Sequence, residues 1–264
     1  MKHEARGAER GAPVLQAVSW LVYAFLYAPI AVLVAFSFNS ERQTAVWKDF
    51  TLDWYRVLFR DELIGHAVAN SLIVAAIATV VATVIGTMAG LAMARHDFPG
   101  RRATRSLLYL PVIVPEIVVG AALVSLFGFV AMRLSLTTVI LAHIAFSISY
   151  VALVVQARLA GFDRSLEEAA MDLGANRWQT FWRVTLPVIA PGVVAGALLV
   201  FTLSIDDYII TSFVAGPGAT TLPLQIYSMV KTGVTPEINA VSTLLLVVTI
   251  GLIATAHRLQ HPAR

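Results

Sequence analysis

The chain has 264 residues, of which 58% are hydrophobic and only 13% are charged, and its formal net charge is +3. A soluble domain has about 45–50% apolar residues and about a quarter charged residues, so this composition excludes an ordinary soluble protein. The absence of cysteine excludes disulfide bonds, thiolate catalysis and cysteine-ligated metal sites. We interpret the basic excess as a mark of cytoplasmic loops in a membrane protein, not of nucleic-acid binding.

Six apolar stretches recur along the chain, and each is long enough to cross about 30 Å of hydrocarbon as a helix. Short alternating strands typical of a barrel are not visible, so we predict an all-α polytopic membrane protein. A single transmembrane domain, 18–256, is expected between an N-terminal tail, 1–17, and a C-terminal tail, 257–264. The six predicted transmembrane helices are 18–38, 67–94, 107–130, 136–157, 188–214 and 240–256.

Lysine and arginine residues are unevenly distributed between alternate connections of these spans. Most of them fall in the two tails and in the connections after the second and fourth spans. Because cytoplasmic loops are enriched in these residues, we predict that both termini and the long loop 158–187 lie in the cytoplasm.

The loop 158–187 is predicted to form a short helix–turn–helix. Acidic residues Glu167 and Glu168 suit the first turn of one helix, and Gly174 suits its end. Asn176 is expected to cap a second helix with an aromatic face. Leu186 and Pro187 are expected to end that helix and redirect the chain into the membrane. From these features alone, docking onto a partner and lying in the lipid headgroup region remain equally open.

Six residues of this loop carry a specific resemblance to a known family. The family pattern is Glu-Ala-Ala, three residues, Gly, nine residues and Ile-x-Leu-Pro, and only Val184 departs from it here. The matching residues are Glu168, Ala169, Ala170, Gly174, Leu186 and Pro187. The loop therefore resembles the EAA loop of binding-protein-dependent ABC importer permeases of type I. That resemblance implies a bacterial inner-membrane subunit whose coupling helices, between spans four and five, dock onto an ATPase subunit.

A nucleotide-binding glycine-rich loop of the form Gly-x-x-x-x-Gly-Lys-Ser/Thr does not occur in the sequence. We therefore expect no catalytic residue, no metal site and no cofactor in this chain. ATP and Mg²⁺ are expected on a separate ATP-binding subunit dimer, so the chain itself is not expected to be an enzyme.

Two adjacent carboxylates, Asp206 and Asp207, lie in the otherwise apolar fifth span. A charged residue at the centre of a membrane helix costs about 2.5–3.5 kcal/mol on insertion scales, so such a residue usually serves a function. Neighbours on a helix point about 100° apart, so we expect one acid to bind a small cationic cargo and the other to contact an adjacent helix. In the alternative interpretation, both acids only hold helices together.

Two further residues are candidates for the substrate pathway. Glu116 follows two prolines, Pro111 and Pro115, that are expected to break the third span, and its carboxylate could contact cargo or only stabilise a bent helix near the membrane border. Tyr150, on the fourth span, could contribute a cation–π contact or only pack between helices. His143, on the same span, is interpreted as a hydrogen-bonded packing residue.

A second resemblance concerns the cargo. The segments 204–211, 216–218, 221–229 and 236–240 resemble the second permease subunit of spermidine/putrescine importers. This resemblance implies polyamine import by alternating access, although permeases for ferric iron, opines and phosphonates share parts of these segments. The implied partners are a second permease subunit, identical or paralogous, a periplasmic substrate-binding protein and membrane lipid.

Two other classes of function were compared with this one. An aspartyl membrane enzyme needs two facing aspartates, which adjacent positions on one helix do not easily provide. An ion-coupled secondary transporter is expected to contain inverted repeats, and it would not need an EAA loop. Neither class explains the loop 158–187.

Overall fold

The computed structural model describes the backbone of residues 2–41, 46–233 and 235–260, and the side chains of 15–41, 46–233 and 235–251. Within these ranges the chain is helical, and its only β-type pairing is an isolated antiparallel bridge between Asn39 and Phe50. The helices are α1 Lys2–Phe36, α2 Asp53–Leu58, α3 Glu62–Arg95, α4 Arg101–Ile113, α5 Glu116–Phe129, α6 Leu136–Ala160, α7 Ser165–Asp172, α8 Arg177–Thr180, α9 Leu186–Asp206, α10 Ile209–Val214, α11 Leu222–Thr232 and α12 Pro236–Gln260. A π turn, Phe181–Thr185, joins α8 to α9.

The chain divides into two units, of which the first contains residues 1–61 and 229–247. In this unit Asn39 organises the connection that follows α1. Its amide Nδ2 donates to the carbonyl of Val46 at 2.7 Å, and its Oδ1 accepts from the backbone N–H of Lys48 at 3.0 Å. The indole of Trp54 donates to the Asn39 carbonyl at 2.7 Å. Buried Asn39 therefore holds the described parts of this connection through three hydrogen bonds.

The second unit contains residues 62–228 and 248–264, and its centre is the mutual packing of α3, α6 and α9. Close approach of α3 to α6 depends on Gly86 and Gly90. A β-carbon on Gly86 would lie 2.6 Å from Cβ of Val151, and one on Gly90 would lie 2.9 Å from the carbonyl oxygen of Ala152. Small residues at a four-residue interval allow this approach where lipid supplies no hydrophobic driving force.

Four described helices are long and apolar enough to cross a membrane, and α4 with α5 would make a fifth if this bent pair is one span. The four are Leu15–Phe36, Glu62–Arg95, Leu136–Ala160 and Arg177–Asp206. The described apolar part of α12, Pro236–Gly251, is shorter, and the predicted span 240–256 extends beyond the described side chains. The predicted count of six spans therefore stays a prediction.

The predicted third span, 107–130, is two helices and not one. α4 ends at Ile113, α5 begins at Glu116, and the two helices are bent by 117°. Pro115 disfavours helical backbone at Val114, which is extended with φ −78° and ψ 134°. Pro111 stays inside α4, so only the second of the two prolines breaks the helix.

The predicted fifth span, 188–214, is also interrupted, and the expectation that both aspartates lie on one helix is wrong. α9 ends at Asp206, Asp207 is extended with φ −68° and ψ 122°, and α10 begins at Ile209. Asp207 leaves the helix because its side chain binds the free N–H groups at the start of α10.

The predicted helix–turn–helix in the loop 158–187 is confirmed as α7 and α8. Gly174 is left-handed with φ +90°, and Asn176 caps α8 by accepting from the backbone N–H of Gln179 at 2.9 Å. Leu186 and Pro187 do not end the second helix, which corrects the prediction. They begin α9, where proline is tolerated in the first turn, and the π turn joins α8 to α9 without interruption.

Candidate functional site: a carboxylate cleft between two broken helices

A cleft of about 320 Å³ lies where the two helix breaks of the second unit meet. The start of α5, the middle of α6 and the junction between α9 and α10 contribute its walls. Its lining residues are Glu116, Phe146, Thr202, Leu203, Asp206, Asp207, Tyr208 and Ile209. Three of the four residues predicted for the substrate pathway therefore share one cleft, although Glu116 is distant in sequence from Asp206 and Asp207.

The carboxylate of Asp207 is buried and hydrogen-bonded within the protein. Its Oδ1 accepts from the N–H of Ile210 at 3.2 Å, and its Oδ2 accepts from both the N–H and the hydroxyl of Thr211 at 2.8 Å. Nε2 of His143 lies 3.3 Å from the same Oδ2, and the Asp207 side chain is only 5% exposed. A carboxylate at the start of α10 is also favoured by the helix dipole.

His143 completes this buried network from α6. Its Nδ1 is 2.7 Å from the hydroxyl of Ser204, and its Nε2 is 3.0 Å from the hydroxyl of Thr211. The Thr211 hydroxyl donates to Asp207, so it accepts from Nε2 of the histidine. The network ties α6 to both sides of the α9–α10 break, in agreement with the interpretation of His143 as a packing residue.

Asp206 and Glu116 differ from Asp207, because both are exposed. Within the described part of the chain, neither carboxylate accepts a hydrogen bond or forms an ion pair. Asp206 is the last residue of α9, and Glu116 is the first residue of α5. The cleft thus presents two unneutralised carboxylates from two different helix ends.

Tyr150 is not among the residues that line the cleft. Its ring makes an edge contact with Phe146, with 6.3 Å between the ring centroids, and Phe146 does line the cleft. Tyr150 also packs against the apolar core formed by α5, α6 and α10. A direct contact between Tyr150 and cargo is therefore not supported by this arrangement.

Five lining residues were missed by the sequence-based prediction of the site: Phe146, Thr202, Leu203, Tyr208 and Ile209. Thr202 precedes Asp206 by four positions on α9, and that spacing places both on one helix face. Tyr208 stacks near Tyr227, with 4.4 Å between the ring centroids. The i, i+4 spacing was the signal that could have identified Thr202, whereas Phe146 reaches the cleft only through tertiary packing.

The residues of the predicted coupling loop form a separate, largely exposed surface. Glu168, Ala169, Gly174 and Pro187 are exposed, and Ala170 and Leu186 are half-buried. Leu173 is 89% exposed and Trp178 is 69% exposed, so this surface presents large apolar side chains as well as acids. Just before α7, the backbone N–H of Ser165 donates to Asp163 at 2.9 Å and holds the pKa of that carboxyl below its usual value.

Groups of three or more metal-ligating side chains suited to a metal ion are absent from the described residues.

Comparisons with known proteins agree with this arrangement. The family described as "Binding-protein-dependent transport system inner membrane component" matches residues 82–261. The chain is 44% identical to the putrescine transport system permease protein PotI of Escherichia coli K12, over 86% of this chain and 83% of the relative. It is 40% identical to the spermidine/putrescine transport system permease protein PotC of Haemophilus influenzae, over 90% of this chain and 92% of the relative.

A solved structure shares the fold. It is a bacterial alginate ABC transporter in complex with an alginate pentasaccharide-bound periplasmic protein. The TM-score is 0.75, the identity is 20%, and the match covers 97% of this chain and 96% of that chain. The relatives with high identity are transport permeases and not enzymes. The chain therefore belongs to the family of inner-membrane components of binding-protein-dependent transport systems, as a multi-pass permease of the ABC importer type.

Proposed function

We propose that this chain is one membrane-spanning subunit of an ATP-driven importer of polyamines. The observation that carries this proposal is the cleft in which Asp206 and Glu116 present two carboxylates without a protein partner. A polyamine carries cationic nitrogens separated by methylene segments. Two fixed negative charges separated by apolar and aromatic walls match that pattern, and they repel anionic cargo. The names of the two relatives, a putrescine permease and a spermidine/putrescine permease, support the same cargo.

The acids of the cleft have different roles in this proposal. Asp206 and Glu116 contact the cationic groups of the cargo. Asp207 holds the α9–α10 junction through α10 and His143, and so places Asp206 and Tyr208 at the cleft. Tyr150 supports the aromatic wall through Phe146.

The exposed surface of α7 and α8 is the proposed contact with a separate ATP-binding subunit. α7 contains no buried residue, and its exposed side chains, Glu168 among them, are available to a partner. In this proposal Glu168, Ala169, Ala170 and Gly174 dock into the ATPase, while Leu186 and Pro187 begin the helix that leads towards the cleft. ATP and Mg²⁺ bind to that partner, which is a dimer, and this chain catalyses no reaction.

The proposed assembly also contains a second permease subunit, identical or paralogous, and a periplasmic binding protein that delivers the cargo. The alginate transporter structure, which contains a periplasmic protein, supports this mode of delivery. Both termini and the α7–α8 loop are placed in the cytoplasm, because most lysine and arginine residues then lie on that side. The cleft faces the periplasmic half, since α9 spans about 30 Å from the loop to Asp206.

The test is reconstitution of the complete transporter in proteoliposomes with its binding protein. We expect polyamine-loaded binding protein to stimulate ATP hydrolysis and to drive uptake of labelled putrescine or spermidine. Binding protein without polyamine is the control for stimulation, and labelled sulfate is the control for cargo charge.

Two outcomes would contradict different parts of the proposal. Stimulated hydrolysis without polyamine uptake would contradict the cargo. Failure of any ATPase subunit to co-purify with the chain from membranes would contradict the coupling assignment.

A further inference from the structure

One acid of the α7–α8 region does not face outwards. Nη1 of Arg95 lies 2.5 Å from Oε1 and 2.6 Å from Oε2 of Glu167, so one arginine nitrogen contacts both carboxylate oxygens. The Glu167 side chain is 13% exposed and that of Arg95 is 21% exposed. The hydroxyl of Thr185 donates to the same Oε1, and the Arg95 guanidinium lies 5.1 Å from the centroid of the Phe162 ring.

These three residues belong to three different elements. Arg95 is the last residue of α3, Glu167 is in the first turn of α7, and Thr185 is the last residue of the π turn before α9. A second hydrogen bond also connects the loop to α3: Arg164, which directly precedes α7, donates to the carbonyl of Ala94 at 3.3 Å. One carboxylate therefore connects the exposed loop to the ends of two long helices of the bundle.

The connection matters because α7 has little other attachment. No residue of α7 is buried, and Leu166 and Met171 are 49% and 42% exposed. Apolar packing therefore supplies little mechanical connection between α7 and the bundle. Charge-assisted bonds between poorly exposed groups are shorter and stronger than neutral ones, and their geometry is specific.

We propose that Glu167, with Arg95 and Thr185, is the joint that transmits movement of the α7–α8 loop to α3 and α9. The inference rests on the proposed function, in which that loop contacts the ATPase. α9 starts next to this joint and ends at Asp206, so displacement at one end of the helix is delivered to the cleft at the other. Glu167 is a positioning residue in this scheme, and it contacts neither ATP nor cargo.

The first test compares two neighbouring acids in the complete reconstituted transporter. Glu167→Gln is expected to keep the ATPase subunit bound and hydrolysing, while cargo moved per ATP hydrolysed falls at least about fivefold, the lower end of typical coupling between linked sites. Glu168→Gln is the matched comparison. It is expected to weaken ATPase association, so that hydrolysis and uptake fall together and their ratio stays the same.

Conservative variants separate coupling from folding. Glu167→Asp and Thr185→Val are expected to give intermediate ratios, because each keeps part of the joint. Combining Arg95→Glu with Glu167→Arg is expected to recover part of the ratio that Arg95→Glu alone loses. An unchanged ratio in Glu167→Gln, or a parallel loss of hydrolysis and uptake, would overturn the joint.

A second readout does not depend on cargo. The chain has no cysteine, so spin labels can be placed at Met171→Cys on α7 and Val194→Cys on α9, both exposed positions. With the wild-type joint, we expect a single distance between the two labels that does not change when ATP is added. In Glu167→Gln we expect the distribution of this distance to broaden or shift. Equal distributions in both proteins would overturn the joint. If the distance between the labels stays constant with the wild-type joint but the transporter moves no polyamine, only the cargo assignment is contradicted.

Discussion

Two pairs of adjacent acids, one on α7 next to the start of α9 and one at the end of α9, are divided in the same way. Near the loop, Glu167 is held by Arg95 and Thr185, while Glu168 is exposed. At the cleft, Asp207 is held by Thr211 and His143, while Asp206 is exposed. In each pair one carboxylate stabilises the structure and its neighbour is available to a partner or a cargo.

The division has different physical origins at the two ends. On α7, successive side chains point about 100° apart, so helix geometry alone separates Glu167 from Glu168. At the cleft the helix ends between the two aspartates, and Asp207 turns its side chain towards the N–H groups of α10. Adjacent identical residues can therefore be given opposite roles either by a continuous helix or by its interruption.

The largest expected effect is on stability, in Asp207→Ala. The change leaves the Thr211 hydroxyl and the backbone N–H groups of Ile210 and Thr211 without their acceptor in a buried site. We expect the subunit to lose about 3 kcal/mol, since each buried unsatisfied group costs about 1–3 kcal/mol. Denaturant titration of the purified complex measures this loss. The matched Asp206→Ala should change stability by no more than about 0.5 kcal/mol. Equal losses in the two variants would contradict the distinction between a held Asp207 and an unheld Asp206.

A smaller effect is expected on transport in Asp206→Asn. Loss of a hydrogen bond to a charged group costs about 1.5–3 kcal/mol, which corresponds to roughly a ten- to hundredfold lower uptake rate at limiting cargo. Uptake of labelled polyamine into proteoliposomes measures it, and Asp206→Glu, which keeps the charge, is the control. Uptake by Asp206→Asn at the wild-type rate would remove Asp206 from the pathway.

Glu116→Gln sharpens the comparison by testing whether the two exposed acids act on the same cargo. Glu116 lies at the start of α5, where the helix dipole partly offsets its negative charge, so we expect a loss of only about threefold, or roughly 0.7 kcal/mol. In the double variant with Asp206→Asn the two effects should not add, because residues that share one ligand couple by about 0.5–3 kcal/mol. The same uptake assay supplies all four rates, and strictly additive losses would show that the acids act independently.

At the other end of α9, Asn176→Ala removes the side-chain cap of α8. We expect a loss of about 1 kcal/mol in the stability of this short helix, and correspondingly weaker ATPase association. Affinity of the purified chain for the ATPase subunit measures it. Asn176→Asp keeps a capping oxygen and should restore the affinity. If the alanine and aspartate variants bind equally well, the cap has no part in docking.

Local signals in the sequence were sufficient for several features. Gly174 and Asn176 predicted the turn and the cap between α7 and α8, because both act through backbone groups within three residues. Pro115 predicted the break in the third span for the same reason. The break after Asp206 was missed, since no proline or glycine marks it.

Other features depend on residues that are far apart along the chain. His143 reaches Ser204 and Thr211 across 61 and 68 positions, and Arg95 reaches Glu167 across 72. No pattern of spacing indicates such pairs. Tyr150 was predicted to line the pathway, yet packing places its neighbour Phe146 there instead.

The sequence by itself determined the membrane class of this protein, its family and the helix–turn–helix of its exposed loop. Apolar length, loop charge and local capping act within one helix or one turn, so they can be read from neighbouring residues. Only the tertiary structure decided which acid of each pair is held and which is exposed. That choice depends on where a distant arginine, histidine or helix end supplies a partner, and such partners exist only after the helices have packed.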